Sequence, residues 1–361
     1  MTPRTSANHS TFSLSQARAI VQDLFRPNPW IYWCDYLITY FLAVRCFQAV
    51  RGGGLFTVHQ GFTGEWSQVF WFVASCLLFY RAGLFIHELV HQRNSNLRLF
   101  SVVWNVLSGI PFLTPTFVYY THIDHHRRNR YGTDHDGEYM PLLHHRMWYT
   151  IFYLSWSFII PIMVMIRFAF LTPIAWCFPK ARVWIHQHIS SLVMDPTYIR
   201  PLPTKSTLRL IYLQEFGCLL WCWGIIFVPV LLMNRFPLPF LVHAYLTSVF
   251  IIMLNAIRTL GSHRWTNAGD EMTFTEQLLD SVNYPKTPWI SELWGPVGTR
   301  YHALHHLFPT LPYHALPKAH QRLMQQLPAD SIYRLTEAPS LSSVVFNLLK
   351  STRRKTISEF A

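Results

Sequence analysis

Histidine is gathered into three clusters, each at the edge of an apolar stretch. The fold must therefore bring the ends of several apolar segments to one place. The clusters are His87-Glu-Leu-Val-His91, His122-Ile-Asp-His125-His126 and His302-Ala-Leu-His305-His306. One more histidine, His263 in Gly261-Ser-His-Arg-Trp265, lies between the second and third clusters. On a helix, residues three and four apart share a face, with Cβ atoms about 5–6 Å apart. His87 and His91 can therefore address one metal ion, and so can His122, His125 and His126. Imidazole suits iron, zinc, copper or nickel. Nine imidazoles are too many for one ion and suit two. A single cluster is a weak motif, but two H-x2-HH patterns and an H-x3-H, each beside an apolar segment, make a strong one.

Composition says what surrounds these clusters. Hydrophobic residues make up 51% of the chain and charged residues only 13%. Charged residues approach a quarter of an ordinary soluble domain, so the balance points to a membrane. The net charge of +12 then fits cytoplasmic loops and anionic lipid rather than nucleic acid, for which no motif is present. The cysteines (34, 46, 76, 177, 218 and 222) lie in or beside apolar stretches without a CxxC pair, and read as buried apolar residues. The first 29 residues lack an apolar signal region, so no cleavable signal peptide is expected and the first spanning helix is expected to direct insertion.

Four spans are expected, at 30–50, 66–86, 211–233 and 238–257, each about long enough to cross a bilayer. Asp35 and Arg45 inside the first are expected to pair with each other or to reach the interface. Residues 97–120 carry Gly109, Pro111 and Pro115 between two clusters that must share a side, which implies a shallow or re-entrant hairpin. Residues 147–171 are apolar enough to span. A single crossing there would put His302 opposite His87, and Pro161 favours an interfacial or re-entrant arrangement. A short helix is expected at 13–25 and another at 312–327. The expected fold is an all-α integral membrane protein. About four transmembrane helices, with re-entrant or interfacial helices, carry a cytoplasmic histidine-rich metal domain. Its divisions are an N-terminal tail (1–29), a membrane domain (30–327) and a C-terminal tail (328–361). Both termini and all three clusters are expected on the cytoplasmic side.

The ordered clusters resemble the histidine boxes of the membrane-bound fatty acid desaturases and their related hydroxylases. The resemblance runs from about residue 30 to about residue 326. It implies a non-haem di-iron centre that uses O2 and two electrons on a fatty acyl substrate in membrane lipid. By residue-to-residue match, it implies His87, His91, His122, His125, His126, His302, His305 and His306 as iron ligands. In the stearoyl-CoA desaturase pattern an extra histidine before the third box completes the set, and His263 stands there. That histidine follows an asparagine four residues earlier in the family, whereas here the position is Thr259, with Asn255 one turn further back. The expected reaction is desaturation of an acyl chain, with hydroxylation or acetylenic bond formation on the same scaffold as the alternative.

Unactivated C–H bonds need a metal-bound oxidant that no side chain supplies. The protein's part is to position the metals and exclude water. Acids accepting the outer ring N–H of ligating histidines would offset the metal charge, and the candidates are Glu88, Asp124, Asp134, Asp136 and Asp270. There is no His-Pro-Gly-Gly haem motif, so electrons are expected from a separate carrier of ferredoxin, rubredoxin or cytochrome b5 type. Arg127, Arg128 and Arg130, with Lys180 and Arg182, are the candidate docking cations. Among the other histidines, His135, His144, His145, His186 and His188 read as loop or surface residues, and His243 as a helix-packing one. Two rivals remain. His87-Glu-Leu-Val-His91 is also the HExxH pattern of zinc proteases, with Glu88 as base. A metal transporter would instead hold its site near the bilayer midplane.

Overall fold

The computed structural model describes residues 12–50, 65–92 and 95–358. The glycine run at 52–54 and the loop after it lie outside the described residues. Among the described residues the structure is helical, with β pairing confined to isolated bridges such as His263 with Ser281 and Asn283 with Tyr301. This matches the all-α expectation.

Asn28 caps the first long helix through its side chain, which accepts from Trp30 N at 3.1 Å. Pro29 then occupies the first turn, where its missing N–H costs nothing. The resulting helix, Pro29–Ala49, runs antiparallel beside Trp66–His91. Tyr32 meets Glu88, Tyr36 meets Phe85 and Tyr40 meets Phe79. Asp35 does not pair with Arg45. It takes a two-pronged bond from Arg81 at 2.9 and 2.5 Å, while Arg45 turns to Gln48.

Four helices among the described residues are long and apolar enough to cross a membrane: Trp66–His91, Met147–Cys177, Lys205–Met233 and Leu238–Leu260. The number is the expected one, but the membership differs. Pro29–Ala49 is not among them; Asp35 and Arg45, with its tyrosines and tryptophans, make it less apolar. Residues 147–171, expected as a broken hairpin, belong instead to a helix continuous through Pro161. In apolar surroundings, breaking the helix would leave more backbone groups unpaired than one proline does. Ahead of this helix, His144 Nε2 contacts Thr266 O. Beyond it, Leu192 N bonds Val118 O and Met194 N bonds Gly137 O. The segments after it thus pack against the chain on either side of the second histidine cluster. The last two spans are joined by a short turn, with Asn234 in the left-handed region (φ 47°) ending the first of them.

The shallow hairpin expected at 97–120 forms. Arg98–Trp104 leads into a wider turn, Asn105–Gly109, and Asn105 Oδ1 accepts from Thr116 N at 2.9 Å as the chain doubles back. A side chain at Gly109 would meet Asn105 Oδ1 at 2.9 Å and the Pro115 backbone at 3.2 Å, so the close approach of the two limbs requires glycine.

The stretches read as tails carry structure. Leu14–Val21 packs Ala17 and Val21 against Leu316, Ala319, Leu323 and Tyr333. Buried Asn283 bonds Thr336 and Ala338 through its backbone and Leu304 N through its side chain. The third histidine cluster is thereby locked to the segment after residue 330.

Candidate metal centre

Each histidine is delivered by the end of a structural element. His87 and His91 occupy the last turn of Trp66–His91. His122 and His125 form the one-turn helix His122–His125, with His126 as its cap. His263 follows Leu238–Leu260 after the turn at Gly261. His302, His305 and His306 lie on His302–Leu307. All nine come together, in two groups. His87, His91, His122, His126 and His305 form one, and His125, His263, His302 and His306 the other. Within each group one ring nitrogen from every residue lies within 4.8 Å of the rest. Each box after the first divides its histidines between the two groups, so the groups are neighbours rather than separate sites.

The nitrogens converge as ligand atoms do. His302 Nε2 lies 2.8 Å from His263 Nε2 and 3.0 Å from His306 Nε2, and His126 Nε2 lies 2.9 Å from His122 Nε2. With metal–nitrogen bonds of about 2.1 Å, adjacent ligand atoms of an octahedral shell stand about 3 Å apart. Both ring nitrogens of buried His87 and His305 lack any hydrogen-bond partner. Buried polar atoms are ordinarily paired, and a cation in the five-histidine group would take up one nitrogen of each of these rings. The donor set therefore fits two metal ions.

The outer nitrogens are held from behind. His125 Nδ1 lies 2.8 Å from Asp136 Oδ2, and His122 Nδ1 lies 2.8 Å from Glu138 Oε2. His263 Nδ1 lies 2.8 Å from Tyr131 Oη, which donates to Asp280 Oδ2 at 2.7 Å. Such partners fix the tautomer and aim Nε2 inward. Burial and their mutual proximity hold His122, His126, His302, His305 and His306 well below the usual histidine range. Neutral imidazole is the form that binds metal. His125 is the exception: burial opposes its charge, but Asp136, Glu138 and Asp280 together outweigh burial and raise it. Burial pushes Glu138 up to about 8.

Of the five acids named from the sequence, only Asp136 reaches a histidine. Glu88 is turned the other way, accepting from Tyr32 Oη at 2.6 Å and Tyr313 N at 3.1 Å. This leaves it no part as a base beside His87 and His91. Asp124 is held by Arg127 and Arg130 at 2.9 and 2.8 Å. Asp134 and Asp270 are exposed. The sequence reading missed Glu138, Tyr131 and Asp280. Glu138 and Tyr131 share the polar loop after the second box, a signal that was available. Asp280 had none, because only the fold brings it behind His263.

His186, expected at the surface, is buried and contacts Pro201 O. His243 stacks on Phe47 with ring centroids 3.8 Å apart. Among the docking cations, Arg127, Arg128 and Lys180 are exposed. Arg182 is not available: Glu215 binds both Arg182 and Arg167 at 2.5 Å within a buried cluster. An open cleft of about 460 Å³ beside His91 is lined by Tyr120, Ile123, Asp124, Arg127 and Arg130.

The fatty acid desaturase family model matches residues 65–337. The chain is 36% identical over 341 residues to a ceramide hydroxylase of Caulobacter vibrioides, covering 94% of each protein. No solved structure matches it.

Proposed function

The chain belongs to the fatty acid desaturase family, and on that premise we propose that it is an O2-dependent hydroxylase of a ceramide-type membrane lipid. Likeness to a ceramide hydroxylase along almost the whole chain carries this reading. It favours hydroxylation over the acyl-chain desaturation expected from the histidine boxes alone. In this reading one iron is held by His87, His91, His122, His126 and His305, and the other by His125, His263, His302 and His306.

The irons supply the reduction of O2 and the oxidising power that side chains lack. A lipid C–H bond and O2, with two electrons and two protons, give C–OH and water. The protein's own residues orient and insulate. Asp136 and Glu138 fix the rings of His125 and His122, and Tyr131 with Asp280 fixes His263. The apolar helices keep water from the reacting carbon. Electrons come from a separate ferredoxin-, rubredoxin- or cytochrome b5-type carrier, with Arg127, Arg128 and Arg130 beside the His91 cleft as its docking ground. The same basic residues favour a cytoplasmic site.

Lipid mass spectrometry of cells expressing the wild type and His263→Ala tests the reading. Hydroxylation adds one oxygen atom to a ceramide, and His263→Ala abolishes the product. Loss of two hydrogens from an acyl chain instead would make the protein a desaturase.

A further inference from the structure

Two buried polar atoms near the histidines have no partner, Arg258 Nε and Glu138 Oε1. Arg258, on Leu238–Leu260, is 7% exposed. Its guanidinium bonds only neutral oxygens of its own helix and the following turn: Asn255 Oδ1 at 3.0 Å, Thr259 Oγ1 at 3.1 Å and Ser262 Oγ at 3.4 Å. Tyr80 of the neighbouring helix lies within its reach. Among the described residues no carboxylate pairs with it, and its Nε–H has no acceptor. Glu138 Oε1 is likewise buried without a donor, while its Oε2 is engaged by His122 and by Tyr119 Oη. Arg258 lies in electrostatic range of Glu138, His87 and His302. An unpaired buried charge is costly, and two cations bound nearby would raise that cost.

We propose that Arg258 is a specificity-determining residue that donates to the amide carbonyl of the lipid substrate. The inference rests on the ceramide reading and deepens it. A guanidinium edge short of an acceptor matches a carbonyl, which an amide carries and an ether lacks.

Binding is the test, so that turnover is not needed. The iron-loaded protein in lipid nanodiscs is titrated with three probes: a short-chain ceramide, its ether analogue with O–CH2 in place of the amide, and palmitate. A hydrogen bond to a charged group is worth about 1.5–3 kcal/mol, so the wild type should prefer ceramide to the ether by about 10-fold or more. Arg258→Gln should lose most of that preference while keeping its iron content and elution profile. Arg258→Lys, which keeps the charge but not the fork, should fall between. Equal binding of ceramide and ether by the wild type overturns the proposal, as does a preference retained in both variants. Tight palmitate binding that depends on Arg258 would assign the residue to a carboxylate instead. Wild-type protein that binds no ceramide at all sinks the ceramide reading itself, a result distinct from loss of discrimination alone.

Discussion

Asp136 Oδ2 lies 2.8 Å from Nδ1 of His125, and both side chains are shielded from water, at 0% and 2% exposure. The carboxylate also accepts from Gly132 N at 2.9 Å through the same oxygen, and from Glu138 N at 3.0 Å through the other. Its orientation is thus set by the loop before it meets the histidine. Asp136→Asn keeps the shape but loses the charge that favours a strongly donating imidazole. Removing such a partner typically costs about 10–100-fold in metal affinity. Iron per chain after dialysis against a weak chelator should fall in Asp136→Asn and further in Asp136→Ala. Asp134→Asn, on an exposed acid two residues earlier, should match the wild type. If all three retain iron alike, Asp136 has no part in holding the centre.

His263 belongs to the four-histidine group, where its Nε2 lies 2.8 Å from that of His302 and 3.3 Å from that of His125. His263→Ala leaves three donors in that group and five in the other. Iron content is expected to drop by roughly half, since a group short of one ligand binds far more weakly. The protein should stay folded and membrane-inserted, because Trp265, fully buried two residues on, anchors the turn through its Nε1–H bond to Leu260 O. Elemental analysis of the purified variant decides: full iron retention contradicts the assignment of His263.

The histidine positions and the helices were legible because each follows from a short-range rule. Three- and four-residue spacing put His122, His125 and His126 on one turn, and runs of apolar residues marked the spans. What sequence could not give was partnership across distance. Asp35 meets Arg81 rather than Arg45 because Pro29–Ala49 lies antiparallel to Trp66–His91, a register that no local pattern encodes. Arg182 reads as a loop cation, yet the fold folds it back onto Glu215. The nine histidines likewise were countable in sequence, but not divisible into five and four. That division depends on the second and third boxes each straddling both groups.

Electron delivery can be tested at Arg128. Its neighbours Arg127 and Arg130 pair with Asp124, whereas the exposed Arg128 side chain forms no ion pair among the described residues, its backbone oxygen accepting from Gln277. Exposed charges act mainly on encounter rates, and salt weakens them. Arg128→Glu should slow stopped-flow reduction by an acidic ferredoxin at low ionic strength, with the difference from wild type shrinking as salt is raised. Iron content should not change. A reduction rate indifferent to both the reversal and the salt would place carrier docking elsewhere.

A pH effect on stability is expected from His320, which lies away from the metal centre. Its ring is buried on Leu316–Gln326, with Nε2 3.0 Å from Glu337 Oε1 and Nδ1 2.8 Å from Tyr333 Oη. The carboxylate requires the proton on Nε2, so Nδ1 accepts from the tyrosine hydroxyl, and the neutral ring satisfies both. Tyr301 packs over the ring. Burial lowers its pKa, and nearby Arg300 adds to this, while Glu337 opposes them without prevailing. The unfolded chain therefore takes up a proton near the ordinary histidine value of about 6.5 while the folded chain resists it. Stability is fully present above that value and declines as pH falls through it, levelling off only below the folded pKa. Glutamine can donate to Glu337 and accept from Tyr333 without titrating. The melting temperature of the wild type should therefore fall more than that of His320→Gln between about pH 7.5 and about pH 5.5. Other histidines titrate equally in both proteins, so the difference isolates His320. Parallel declines would mean that His320 takes up its proton alike in the folded and unfolded states.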